Sequence, residues 1–182
     1  PTLTANQVNT LEPTQFFITY KPERESSLYE VSAIKVGRME LDYGSRRLLA
    51  KTAYRNATNS YDGIVVEARV ADWQVHGVYV LPVSRFPTDS ESLDGNERAF
   101  DKSFSERKFF GVYAASKDNN VKLQSYWLKE DDSEALATKN RDLYTLSVDY
   151  TQPFDNGLIT NIEVVGQTGT SYQTASANDT VE

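Results

Sequence analysis

Apolar and polar residues alternate at every second position over much of this chain, and no stretch repeats at helical spacing. The clearest run covers 61–71, where Ile64, Val66, Ala68 and Val70 fall on one face and Val65, Glu67, Arg69 and Ala71 on the other. A tight turn at Asp72 follows. The chain then returns over 73–83, with Trp73, Val75, Gly77, Tyr79, Leu81 and Val83 opposed to Gln74, His76, Val78 and Val80. The same alternation predicts strands over 16–20, 28–36, 108–116, 121–128, 142–150 and 159–167, making eight in all. In 121–128, Val121, Leu123 and Trp127 oppose Lys122, Gln124 and Tyr126. In 142–150, Tyr144, Leu146, Val148 and Tyr150 oppose Thr145, Ser147 and Asp149. In the last run, Ile162 and Val164 oppose Asn161 and Glu163. Pro82 and Pro153 fall at strand ends or turns, where a missing N–H does least harm.

The connections sharpen this picture. After Val36 comes a long link, then the turn at Asp72, the long polar 84–107, the short 117–120, the long charged 129–141 and the shorter 151–157. Long and short alternate without an exception. An antiparallel meander places successive links at opposite ends of its strands, so one end carries the long loops and the other the short turns. Outer-membrane barrels have this asymmetry. Trp73, Tyr79, Trp127 and Tyr150, near strand ends, fit interfacial aromatic girdles. Alternation by itself also describes a soluble β-sandwich or small barrel with one face buried and one wet.

Charge adds a second feature. Lys35, Arg38, Arg46, Arg47, Lys51 and Arg55 cluster with only Glu40 and Asp42 among them, in a chain of net charge -7. The order of residues here resembles a known signature: Gly37-Arg38 at a strand end, Glu40, Tyr43-Gly44, a run of arginines, Arg55-Asn56, then Tyr61-Asp62-Gly63 opening the next strand. It is similar to that of the alginate-export family, outer-membrane β-barrels of Gram-negative bacteria. The likeness continues through 73–83, at Phe110-Gly111-Val112-Tyr113 and at Asp142-Leu143-Tyr144, so it covers most of the chain from residue 30 onward.

The resemblance implies a passive channel in the cell outer membrane for an anionic polysaccharide such as alginate, or for small anionic solutes. Arg38, Arg46, Arg47 and Arg55 are the positions it carries over. With Lys51 they form a band of cations beside a strand end, and Arg69 and Lys122 on the polar strand faces extend the pore-lining candidates. Arginine pairs bidentately with carboxylate and stays charged at any relevant pH, and cationic rings are how pores select anions. A purely structural cluster is the alternative, with Arg38 paired to Glu40 or Asp42 and Arg55 to Asp62. Two departures stand against the family pattern. The alternation yields fewer strands than such barrels have, and the chain ends Asn178-Asp179-Thr180-Val181-Glu182 without the usual terminal aromatic, so a fragment of a larger barrel is expected.

Composition limits the other classes. At 182 residues, 39% hydrophobic, one domain is the default. No stretch approaches the ~20 apolar residues of a transmembrane helix. The chain has no Cys, which excludes disulfides and thiolate metal sites. An acidic balance argues against nucleic acid as partner. His76 is the only histidine, so no multi-histidine metal site or histidine-based triad exists, and neither a metal nor a cofactor is expected. Asp131-Asp132 and Glu91/Asp94 sit in charged loops without the apolar surroundings that raise a catalytic carboxyl, so no enzyme is expected. Asn56-Ala57-Thr58 and Asn178-Asp179-Thr180 match the glycosylation sequon, which carries no meaning in a bacterial protein, and there is no glycine-rich phosphate loop.

The expected fold is thus all-β, an antiparallel up-and-down meander over 1–182, part of or a small version of a transmembrane outer-membrane barrel facing lipid. The other candidates are a soluble β-sandwich carbohydrate-binding module and, disfavoured, a polysaccharide-degrading enzyme. Sidedness separates them: a membrane barrel turns its polar face inward.

Overall fold

The structure, a computed structural model, describes residues 12–23, 29–52 and 58–175. Its elements are β1 (Phe16–Tyr20), β2 (Tyr29–Met39), β3 (Tyr61–Val70), β4 (Trp73–Ser84), α1 (Ser90–Asp94), β5 (Lys102–Ser103), β6 (Arg107–Ser116), β7 (Val121–Glu130), β8 (Asp142–Pro153) and β9 (Ile159–Thr170). All strands join one antiparallel sheet in the order β1-β2-β3-β4-β6-β7-β8-β9, with the two-residue β5 paired only to the end of β4. The eight strands expected from alternation are the eight of this path. Several run further toward the long-loop end than the apolar pattern reaches. Arg107 and Lys108, for example, ladder with Glu130 and Lys129, because backbone pairing continues where side-chain hydrophobicity stops. The sheet does not close: β1 and β9 are its edges.

The short-turn end holds the two-residue turn at Ala71-Asp72 between the paired Val70 and Trp73, the turn 117–120, and the turn 154–158. At 117–120, Asn119 takes φ 59 and its N–H bonds the Ser116 carbonyl at 2.8 Å. The long-loop end holds the described parts of the connection after β2 (40–52 and 58–60), 85–106 and 131–141. The second of these carries α1, capped at its start by Asp89, whose carboxylate accepts from the Ser92 N–H.

Register lines the alternating residues into rows across the strands. One face carries Ile64, Tyr79, Phe110, Trp127 and Tyr144 in a single row, and beyond it Val112 and Leu146, then Leu123, Val148 and Val164. These side chains are exposed: Ile64 is 43% accessible, Val112 44%, Leu146 50% and Val164 66%. Contiguous apolar surface on this scale is rare on soluble monomers. A sandwich would cover it with a second sheet, and among the described residues no second sheet lies against it. The aromatic row is stacked or edge-to-face along its length, Tyr79 on Phe110 at 6.1 Å and Phe110 on Trp127 at 4.8 Å. Trp73 and Tyr150 stand at the opposite strand ends. From Tyr144 to Tyr150 is about 20 Å of strand, close to the roughly 25 Å apolar band that separates the aromatic girdles of a membrane barrel.

The opposite face holds the core. Val65, Val78, Val80 and Tyr126 are buried there beside the buried polar side chains Gln124, Thr145, Ser147 and Asp149. What buries them is the connection after β2. Met39, Leu41 and Leu49 of that segment pack onto Val65, Val78, Val80 and Tyr126.

Candidate functional site

The polar face and the segment folded onto it form the site. The chain leaves β2 at Met39 and doubles back, so that the Tyr43 N–H meets the Leu49 carbonyl at 3.1 Å and the Arg46 N–H meets the Tyr43 carbonyl at 3.1 Å. Gly44 makes the turn at φ 60, and a Cβ there would stand 2.5 Å from Gln124 Nε2. Glycine avoids both the strain of that left-handed backbone and the displacement of the Gln124 amide. Burying Leu41 and Leu49 drives the segment onto the sheet, at about 1.5–3 kcal/mol for each fully buried side chain.

The fold places Tyr43 flat against Tyr113, with ring centroids 5.1 Å apart and planes at 16°, and edge-on to His76 at 5.1 Å. His76 therefore lies on the polar face, as its position in the alternation implies, but beneath the segment. Burial pushes the Tyr43 phenol above its ordinary pKa, reinforced by the negative charge of Glu67 and by Tyr113. Next along the segment, Ser45 Oγ donates to Glu163 Oε1 at 2.7 Å and Arg47 Nε stands 3.2 Å from Glu163 Oε2. Ser147 donates to the same carboxylate at 3.2 Å. Glu163 on β9 is thus the anchor for the tip of the segment.

The cations singled out by sequence are ion-paired wherever they are described. Arg46 bonds Asp42 at 2.7 Å, and that hydrogen bond, with the guanidinium charge, holds the Asp42 carboxyl below the usual range. Lys51 lies 3.9 Å from Glu40, Lys122 lies 3.4 Å from Asp149, and Arg69 pairs with Glu30. Lys35 meets Glu67 at 2.5 Å. Arg38 is placed differently: register puts it on the face of Val36 and Ile64, at the long-loop end, where it holds Asp62 at 2.7 Å and also bonds Glu12. Of the pairings expected for a structural cluster, Arg38 takes Asp62 rather than Glu40 or Asp42. Arg55 lies outside the described residues. The band is therefore split, with Arg47, Arg69 and Lys122 on the polar face, Arg46 and Lys51 on the segment's exposed side, and Arg38 on the other face of the sheet.

Sequence reasoning missed the partners, Glu163, Glu67, Asp149 and Glu30, and the aromatic pair Tyr43 and Tyr113. Its neglected signal was apolar: Met39, Leu41, Leu48 and Leu49 flank the arginines, and a surface loop has no need of them. The paired-acid candidates do not converge. Asp132 accepts from the Thr138 N–H at 2.7 Å within its own loop, while Glu91 lies in the first turn of α1.

An antiparallel meander with one exposed apolar face crossed by a row of aromatics, and an opposite face of paired charges, is the make-up of a portion of a β-barrel. The sequence pattern of the alginate export family matches residues 3–181, nearly the whole chain, and the protein belongs to that family. No curated protein and no solved structure is similar enough to match.

Proposed function

We propose that this chain forms part of the wall of an outer-membrane channel that passes an anionic polysaccharide such as alginate, or smaller anionic solutes, without catalytic chemistry. The observation that carries this reading is the sidedness of the sheet, exposed and apolar on one face, charged and polar on the other, in a member of the alginate export family. In this reading β1 and β9 pair with further strands, because an unpaired edge in hydrocarbon leaves backbone N–H and C=O groups without partners at a cost of several kcal/mol each.

Arg47, Arg69 and Lys122 face the lumen and offset Glu163, Glu30 and Asp149. Guanidinium and ammonium groups already oriented by these carboxylates present their remaining N–H donors to a passing uronate, and the matched acids keep the polymer from being held too tightly to leave. Replacing Arg47, Arg69 and Lys122 together by Gln removes three positive charges and leaves the three carboxylates unneutralised. In planar-bilayer recordings of the full-length protein, reversal potentials in a salt gradient should shift toward cation preference. An unchanged reversal potential would remove these residues from the conduction path.

A further inference from the structure

We infer that Lys108 and Lys129, on the apolar face of the sheet, form a docking site for a phosphorylated lipid headgroup of the membrane leaflet at the long-loop end. The site rests on the membrane reading above and adds to it a preference among lipids.

Register brings the two lysines together. Lys108 on β6 and Lys129 on β7 are direct cross-strand partners, two residues from the paired Phe110 and Trp127 and so on the same face. Directly opposed side chains on antiparallel strands have Cβ atoms about 4.5–5.5 Å apart, and like charges in that relation are destabilising. An anion seated between the two ammoniums removes the repulsion. Elsewhere the long strands answer their cations internally: Lys35, Arg38, Arg69, Arg107 and Lys122 all pair with carboxylates. Among the described residues Lys108 and Lys129 form no ion pair and no side-chain hydrogen bond.

Three carboxylates stand near them. Asp142 is opposite Lys129 in register, but the Trp127 Nε1–H donates to its Oδ1 at 2.6 Å. Glu106 and Asp131 lie one step past the strand ends, where the Asp131 N–H bonds the Glu106 carbonyl at 2.8 Å. With these acids close by, charge alone does not hold a bare phosphate ion. A ligand that also lays apolar chains on the exposed row of Tyr79, Phe110 and Trp127 is held at both ends.

Depth agrees with a lipid. Two residues of extended strand span about 7 Å, and the headgroup layer on each side of a bilayer is about 5–7 Å deep. Aromatic belts sit at the membrane interface, so the rung beyond them reaches the phosphates. Both lysines are half-buried, as lysines are when the aliphatic stem lies on apolar surface and the ammonium extends beyond it. At the short-turn end Lys117 stands 3.9 Å from Asp72, so the unpaired cations belong to one leaflet.

The test is native mass spectrometry of the full-length protein in a neutral detergent, with equal amounts of lipid A carrying both phosphates and of the same lipid with its phosphates removed. The parent should retain the phosphorylated form in preference. Lys108→Gln together with Lys129→Gln should lower that preference about tenfold, while Arg at both positions keeps it. Reversal potentials in planar bilayers should not move in the Gln variant, because both side chains lie on the face away from the lumen. Should the double variant fail to fold, Lys129→Gln alone decides, with a loss of about threefold. A Gln variant with the parent's preference overturns the site. So does full displacement of the lipid by inorganic phosphate, which would make the pair an ion site. If the parent holds both lipid forms equally, the lysine site falls and the membrane reading stands. If it holds neither, the exposed face does not meet lipid and both fall.

Discussion

Tyr43 concentrates the chemistry of the inward-folded segment in one side chain, packed between Tyr113 and His76 with its phenol pKa raised, chiefly by burial. A raised pKa means that the seated state holds the proton more tightly than the released one does. The seated state is therefore fully favoured below the ordinary tyrosine pKa of about 10 and loses ground as pH rises from there toward the higher seated value. Alkaline pH should release the segment. The chain has no cysteine, so a fluorophore on Lys51→Cys reports from the segment alone. Its anisotropy should fall above about pH 10 in the parent and stay level in Tyr43→Phe, which keeps the ring stack and removes the titrating hydroxyl. An equal fall in both would place the titration elsewhere.

At the scale of the strand, β8 carries the two solvents of the molecule on alternate positions. Leu146 and Val148 are exposed while Thr145, Ser147 and Asp149 are buried. If the exposed face meets lipid, Val148→Arg puts a guanidinium into the apolar band and should cost about 2–4 kcal/mol. Gln74→Arg, exposed on the polar face of β4, should cost little. Urea-dependent folding into lipid bilayers measures both, and equal costs would mean that neither face meets hydrocarbon. The strand faces were legible in the alternation because side-chain direction has a period of two wherever the backbone is extended. The extra length of β7, β8 and β9 was not, because their ends pair through backbone groups that every residue possesses.

For the whole molecule, the asymmetry of the connections becomes a statement about topology. A tag inserted in 85–106 or 131–141 of the full protein should be labelled from outside intact cells, and one at 117–120 should not; equal labelling would contradict the orientation. The long and short loops, the strand order, the two faces and the family were all readable from the chain, since each follows from local spacing or local motif. The fate of the basic island was not. Sequence presents Arg46, Arg47 and Lys51 as a free band of charge. Arg46 and Lys51 pair within the segment, with Asp42 and Glu40, but Arg47 meets Glu163 only because of where the segment lies, and the segment lies where Leu41 and Leu49 find an apolar floor contributed by β3, β4 and β7. Glu163 stands more than a hundred residues from Ser45 and reaches it because the segment lies across the polar face, with Tyr43 on Tyr113 of β6, Gly44 beside Gln124 of β7 and Ser45 on Glu163 of β9. Sequence alone determined the strands, their sidedness and the charges available. Tertiary structure decided which charges meet, because ion pairing is set by distance in space, and that distance is fixed by long-range packing of apolar side chains.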